Sequence, residues 1–113
     1  MPQASGTLVP VPAGFDEALI PSLLSLSDVM STGYHAAKMA HIQPGQSVTV
    51  IGDGAVGLSA VLSAKMLGAG QIILMGHHKA RTDLGIEFGA TDVVAERGDE
   101  GVQRVKDLSL IHI

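Results

Sequence analysis

The sequence contains no cysteine, and it is poor in aromatic residues and in charge. Without cysteine the chain forms no disulfide and offers no thiolate nucleophile or sulfur ligand for zinc. One Tyr, two Phe and no Trp leave few rings for base stacking, and no basic run accompanies the net charge of −4. We therefore expect no nucleic acid partner.

Long hydrophobic runs are absent as well. No apolar stretch approaches the roughly 18 residues that a membrane span requires. The first residues also lack the basic segment and the apolar segment of a signal peptide. We predict a cytoplasmic protein that has no membrane partner.

Hydrophobic residues make up 46% of the 113-residue chain, which is enough for one domain with a modest core. Four of the five prolines fall within residues 1–21, and we predict an extended connecting segment there, with one short strand at residues 7–11. Residues 22–46 are predicted to be a leading helical segment, in which Ser27 or Asp28 caps a helix. Residues 47–113 form the third region.

Strand and helix signals alternate through this third region. Apolar, β-branched stretches at residues 47–51, 71–75 and 92–96 predict strands. Helices are predicted from Ala55 to Gly68 or Gly70, over residues 78–88, and after a cap at Asp99. Because the strands are too apolar to face water, we predict an α/β fold: a Rossmann-type βαβαβα half-domain with a three-stranded parallel sheet.

The first predicted strand runs into a G-x-G-x-x-G pattern at Gly52, Gly54 and Gly57. Between a strand and a helix, this spacing indicates a dinucleotide-binding turn. We interpret Gly52 as the sharp turn, Gly54 as the point where a pyrophosphate approaches the backbone, and Gly57 as the position where the helix packs on the strands. The helix N-terminus would attract the phosphates. The less favoured alternative is a tight turn that binds nothing.

The end of the second predicted strand distinguishes the two nicotinamide cofactors. An NAD site normally has an Asp or Glu there for the ribose hydroxyls, but no acidic residue occurs between Asp53 and Asp83. Gly76 lacks the bulk and the charge that would repel a 2′-phosphate. The donors and cations that follow it are His77, His78, Lys79 and Arg81. We predict NADP(H) rather than NAD(H), although a solvated basic helix start would also account for Lys79.

Three ordered motifs link residues 26–96 to a known family: D-V-M-x-T-G-Y-H, P-G-x-x-V-T-V-I-G-x-G-x-V-G and G-A-T-D-V-V. With them the segment resembles the cofactor domain of the zinc-dependent medium-chain alcohol dehydrogenases. The resemblance implies hydride transfer between a small alcohol or carbonyl substrate and the nicotinamide, with zinc polarising the substrate oxygen.

Position by position, the resemblance implies the residues of the site. Thr32 faces the nicotinamide, and Asp28 matches a third protein ligand of the catalytic zinc. Gly76, His77 and His78 match the positions that choose between NAD and NADP, with Arg81 close behind. The residues that match the pyrophosphate turn are Gly52, Gly54, Ala55, Val56 and Gly57.

Asp28 has two interpretations. From the residues alone it is a helix N-cap, whereas the resemblance makes it one ligand of a zinc site whose other protein ligands come from an earlier domain. One carboxylate does not hold zinc in the three-ligand geometry that catalysis needs. We therefore expect Asp28 to be metal-free in this chain, and the chain to lack dehydrogenase activity.

The sequence accounts for three strands, where a complete nucleotide-binding domain has six, and the tail at residues 108–113 departs from the family pattern. The first strand then has an open edge, which invites pairing into a homo-oligomer unless the tail covers it. We expect the N-terminal half of an NADP-binding domain that binds the adenosine-pyrophosphate part of the cofactor weakly. The alternatives are a non-catalytic nucleotide-binding or assembly module and, less favoured, a flavin or S-adenosylmethionine protein.

Overall fold

The computed structural model describes residue 6 and residues 8–109. Two 3-10 turns, Glu17–Leu19 and Leu24–Ser27, flank a short helix α1, and a longer helix α2 follows. Strands and helices then alternate to the end of the described chain. Their bounds are α1 Ile20–Leu23, α2 Val29–Met39, β1 Ser47–Ile51, α3 Ala55–Met66, β2 Gln71–Met75, α4 Lys79–Phe88, β3 Asp92–Val94 and α5 Gly98–Ser109.

The three strands form one parallel sheet in the order β1-β2-β3. Ser47 pairs with Gln71 at the start of β1, and Ile73 pairs with Asp92 at the start of β3. The predicted α/β class and three-stranded parallel sheet are therefore confirmed.

The central strand β2 is buried on both faces. Its residues Ile72 and Leu74 join the core formed by α3, to which Leu58, Val61 and Ala64 contribute. Because successive side chains alternate between faces, the equally buried Ile73 faces the other side of the sheet. Helix α5 contacts β2 and β3, and it supplies the cover for that face.

Helix α2 packs closely on α3. The contact is made at Gly33, where an added Cβ would lie 2.7 Å from the Ala60 nitrogen and 2.8 Å from the Ser59 carbonyl carbon. Both atoms are backbone and cannot rotate away. The absence of a side chain at Gly33 therefore allows α2 to approach α3 this closely.

The predicted extended segment through residue 21 is wrong at its end, because helical structure begins at Glu17. The Asp16 side chain accepts a hydrogen bond from the Ala18 N–H at 3.0 Å, which caps the first 3-10 turn. Pro21 lies in the first turn of α1, where its missing N–H is not needed. Residues 8–11 adopt no strand, and residue 7 of that prediction lies outside the described residues.

Two boundaries near the carboxyl end also differ from prediction. Strand β3 stops at Val94 instead of residue 96, because its partner Met75 is the last residue of β2. Helix α5 begins at Gly98, so Asp99 lies within its first turn instead of capping it. Leu108, from the predicted tail, lies in the last turn of α5, and its carbonyl accepts a hydrogen bond from the Gln71 side chain at 2.9 Å. Residues 110–113 of that tail lie outside the described residues.

Across residues 8–109, no helix combines the length and the apolar character that crossing a membrane would require.

Candidate functional site

The glycine turn lies where β1 ends and α3 begins. Gly52 has φ of 110°, a conformation that side-chain-bearing residues rarely adopt, and its N–H donates to the Met75 carbonyl at 2.9 Å. Gly54 is the N-cap of α3, and no side chain caps this helix. The first N–H groups of α3 therefore have no partner within the helix. Ala55 and Val56 form its exposed first turn.

Gly57 is glycine for a reason that differs from the one expected. A Cβ at this position would overlap the carbonyl oxygen of Gly52. The expected contact between the helix and the strands is therefore not what requires glycine. The residue is needed to close the turn on itself.

Gly54 has no such reason within the protein. Its backbone is extended, with φ of −79° and ψ of −175°, which any residue adopts. A Cβ there would meet no atom within 4 Å. The open space lies at the N-terminus of α3, where partial positive charge favours an anion. The turn thus fits a pyrophosphate, which needs a close approach to the backbone.

Asp53, between the first two glycines, is a site residue that sequence reasoning missed. It is buried, with 6% of its surface exposed, and its carboxylate reaches the turn after β2. There it accepts a hydrogen bond from the backbone N–H of His78 at 2.9 Å and lies 3.0 Å from Nδ1 of the same residue. Arg81 adds a longer ion pair at 3.8 Å.

These contacts control the ionisation of Asp53. The backbone N–H of His78 has the largest effect, burial opposes it, and the His78 ring and Arg81 add to it. Together they lower the pKa of Asp53 from 3.8 to about 2. The carboxylate is therefore ionised at neutral pH.

Asp53 also explains Gly76. A Cβ at residue 76 would lie 2.5 Å from the Asp53 Cβ and 2.7 Å from Oδ2, so glycine is required here by the protein's own packing. Gly76 itself brings neither bulk nor charge, but the Asp53 carboxylate lies against it. The sequence signal that could have revealed this contact was a polar residue within the G-x-G pattern, together with a glycine after β2.

His77 and His78 face different neighbours. His78 is held by Asp53, whereas an Arg97 guanidinium nitrogen lies 2.7 Å from ring nitrogens of His77. The two rings are in contact, with their centroids 4.1 Å apart. Arg97, which follows β3, was also missed by sequence reasoning because the sheet alone brings it here.

A cleft of about 340 Å³ opens at this edge of the sheet. It is formed by the residues that follow each of the three strands, because the carboxyl ends of parallel strands meet at one edge. The structure thus brings the glycine turn, Gly76 and His77 together around one space, with Arg97 on its far side. Its lining includes Gly52, Asp53, Gly76, His77, Glu96 and Arg97.

Asp28 and Thr32 lie one turn apart on the exposed surface of α2. Asp28 occupies the N-cap position, but its side chain makes no capping bond. Its Oδ1 accepts from the Thr32 hydroxyl at 2.9 Å. Within residues 8–109 no three His, Cys, Asp or Glu side chains are grouped so as to hold a metal ion, so these residues alone do not fit zinc.

Comparison with known proteins places this geometry in context. No protein-family model matches the chain. An NADP-dependent isopropanol dehydrogenase of Entamoeba histolytica is 42% identical over 80 residues, which are 71% of this chain and 22% of that protein. A sorbitol dehydrogenase of Bacillus subtilis is 32% identical over 102 residues, which are 90% of this chain and 27% of that protein.

A solved structure gives the same relationship. The apo form of zinc dependent alcohol dehydrogenase 2 from Streptococcus pneumonia superposes with a TM-score of 0.75 at 30% sequence identity. The match covers 93% of this chain and 29% of that one. This chain thus spans between a fifth and a third of the proteins that it matches, and it belongs to the zinc-dependent alcohol dehydrogenase family.

Proposed function

We propose that this chain is the NADP(H)-binding part of a zinc-dependent alcohol dehydrogenase-like oxidoreductase. The proposal rests on one observation at Gly54: its Cβ position is open, and its backbone angles would suit any residue. A ligand that approaches the backbone explains a glycine that the fold does not need. The uncapped N-terminus of α3 supports an anionic ligand at that point.

The choice of NADP rests on charge and on relatives. Arg81 and Arg97 flank the turn after β2, and His77 and His78 lie between them. The charge of Asp53 is already engaged by His78 and Arg81. Relatives at 42% identity are named NADP-dependent isopropanol dehydrogenases, which supports the same cofactor here. We assign the cleft beside His77 to the adenosine part of the cofactor.

The reaction that we propose for the longer protein is reversible hydride transfer between a small alcohol or carbonyl compound and the nicotinamide. Zinc would supply Lewis-acid polarisation of the substrate oxygen. Thr32 is proposed to face the nicotinamide, and Asp28 holds a family ligand position that we expect to be metal-free here. The chain alone is proposed to bind the cofactor weakly, to have no turnover, and to reside in the cytoplasm without nucleic acid or membrane partners.

Calorimetric titration of the 113-residue chain with NADPH, NADH and 2′,5′-ADP tests the cofactor proposal. We expect NADPH and 2′,5′-ADP to bind more tightly than NADH. In Gly54→Ala the new methyl group blocks the pyrophosphate, so affinity for NADPH falls by at least about tenfold. Stability changes by no more than about 1 kcal/mol, because the position is only an N-cap.

Gly6→Ala is the matched control, since Gly6 also has an open Cβ position but lies far along the chain from the turn. It should leave NADPH affinity unchanged. Equal or tighter binding of NADH would overturn the choice of NADP, and unchanged affinity in Gly54→Ala would overturn the placement of the pyrophosphate. Oxidation of NADPH by the purified chain in the presence of a ketone would contradict the expected lack of turnover.

A further inference from the structure

The carboxylate of Asp53 ties the glycine turn after β1 to the turn after β2. It is buried and accepts a hydrogen bond from the His78 backbone, with Nδ1 of the same ring at 3.0 Å. The His78 side chain itself is 49% exposed. The imidazole therefore extends from a buried anchor toward solvent, at the end of β2.

The anchor fixes which ring nitrogen carries hydrogen. A carboxylate only accepts hydrogen bonds, so the hydrogen between Asp53 and the ring belongs to Nδ1 of His78. In the neutral ring Nε2 is then an acceptor, which the oxygens of a phosphate dianion cannot use because they are acceptors as well. Only the imidazolium turns Nε2 into a donor, so His78 can donate to a phosphate dianion through Nε2 in one protonation state alone.

His77 has a different neighbour. One nitrogen of the Arg97 guanidinium, which has donors and no acceptor, lies 2.7 Å from both ring nitrogens of His77. The two adjacent rings therefore face groups of opposite charge, with Arg97 beside His77 and Asp53 beside His78.

We propose that Asp53 is a positioning residue for the 2′-phosphate of the cofactor: it turns Nδ1–H of His78 toward itself and presents Nε2–H outward, so that the phosphate binds together with a proton. This inference rests on the proposed NADP function. It adds a residue whose role is to orient a donor rather than to touch the ligand.

The charged groups around His78 are consistent with this assignment. Asp53 faces it from the glycine turn and Arg81 from α4. The His77 ring contacts the His78 ring, and Arg97, from the segment after β3, lies against His77. Lys79 is turned to Asp83, with Nζ 3.0 Å from the carboxylate. Among these neighbours, Asp53 is the anion that stabilises a positive His78 ring.

The test compares 2′,5′-ADP with 5′-AMP, which lacks only the 2′-phosphate. Calorimetry of the 113-residue chain in two buffers of different ionisation enthalpy measures the protons taken up with each ligand. We expect net uptake, of at most about one proton, with 2′,5′-ADP and none beyond the buffer effect with 5′-AMP. The affinity for 2′,5′-ADP relative to that for 5′-AMP should fall as the pH is raised, because Nε2 of a neutral ring has no hydrogen to donate to the phosphate.

Three variants assign the proton. Asp53→Asn keeps the shape but not the charge, and it should abolish the uptake and lower affinity for 2′,5′-ADP by about tenfold with 5′-AMP unaffected. His78→Asn places a good N-cap residue at the start of α4, and it should abolish the uptake while the chain stays folded. His77→Asn should retain the uptake.

Tighter binding of 2′,5′-ADP by Asp53→Asn would overturn the proposal, because Asp53 would then repel the phosphate. Absence of proton uptake by the unaltered chain, or uptake that survives in His78→Asn, would overturn it as well. These two measurements carry the test even where Asp53→Asn fails to fold. If 5′-AMP binds as tightly as 2′,5′-ADP, this inference is contradicted but the proposed function is not. If neither of these ligands nor NADPH binds, the proposed function is contradicted as well.

Discussion

At the scale of single residues, the three glycines of the turn are glycine for three different reasons. Gly52 needs a left-handed backbone, and Gly57 leaves room for a carbonyl group of the same turn. At Gly54, by contrast, no protein atom lies within 4 Å of the position that a Cβ would occupy. Substitution at Gly52 or Gly57 therefore confounds folding with binding, and Gly54 is the position at which the two are separable.

Asp53 should make the stability of the chain sensitive to acid. Its pKa in the folded chain is about 2 and its ordinary value is 3.8, so the ionised carboxylate stabilises the fold above about pH 4 and loses this effect as the pH falls toward 2. Asp53→Asn should therefore be less stable than the unaltered chain at pH 7, and the difference should shrink on acidification. Urea unfolding at a series of pH values measures it.

Asp83→Asn is the control for that series. Asp83 is exposed and pairs with Lys79 one turn away on α4, a type of ion pair worth about 0.3–0.5 kcal/mol. Its effect should be small throughout the pH range. If the difference in the free energy of unfolding between Asp53→Asn and the unaltered chain stayed constant down to pH 2, the ionised carboxylate would not be the stabilising species.

At the scale of elements, the contact between α2 and α3 depends on Gly33. Alanine raises helix propensity by about 1 kcal/mol, but its methyl group would meet the backbone of Ser59 and Ala60. Overpacking of this kind typically costs about 1–3 kcal/mol, so we expect Gly33→Ala to lower the free energy of unfolding. Thermal or urea unfolding measures the change.

His35→Ala, on the exposed side of the same helix, should alter stability by no more than about 0.5 kcal/mol. A Gly33→Ala chain as stable as this control would mean that α2 can move away from α3 without loss. The close contact would then not be what holds Asp28 and Thr32 in position.

The elements were the part of the structure that could be predicted from the sequence. Apolar, β-branched strands and glycine-terminated helices are local patterns. Helix α3 begins at the expected Ala55 and ends two residues before Gly68, and α4 begins one residue late and ends at the expected Phe88. The turn Glu17–Leu19 and the start of α1 were missed because Asp16 and Pro21 act through capping geometry. The contact from Asp53 to His78 joins residues 25 apart, and no local pattern carries it.

At the scale of the whole molecule, β1 is an edge strand. Among the described residues it pairs only with β2, and an apolar groove of about 380 Å³ runs beside it, between α2 and α3. Ile51, at the end of the strand, is 82% exposed. We expect the chain to associate with a second copy through this edge, in a concentration-dependent way.

Analytical ultracentrifugation over a range of concentrations tests the association. Ile51→Lys should shift the chain toward the monomer, because a charge on an edge strand opposes pairing. Ile86→Lys, an exposed position on α4, should leave the association unchanged. A chain that sediments as a monomer at every concentration would contradict the prediction.

The packing of Asp53 against Gly76 has a consequence for how cofactor preference can evolve in this chain. The usual acquired determinant of NAD use is an acidic residue at the end of β2, which is the place of Gly76. Here that single replacement would collide with Asp53 and set two carboxylates side by side. Under the NADP preference that we propose, we expect the two positions to be epistatic: a change of preference would begin at Asp53, through an intermediate that has lost the bond to His78.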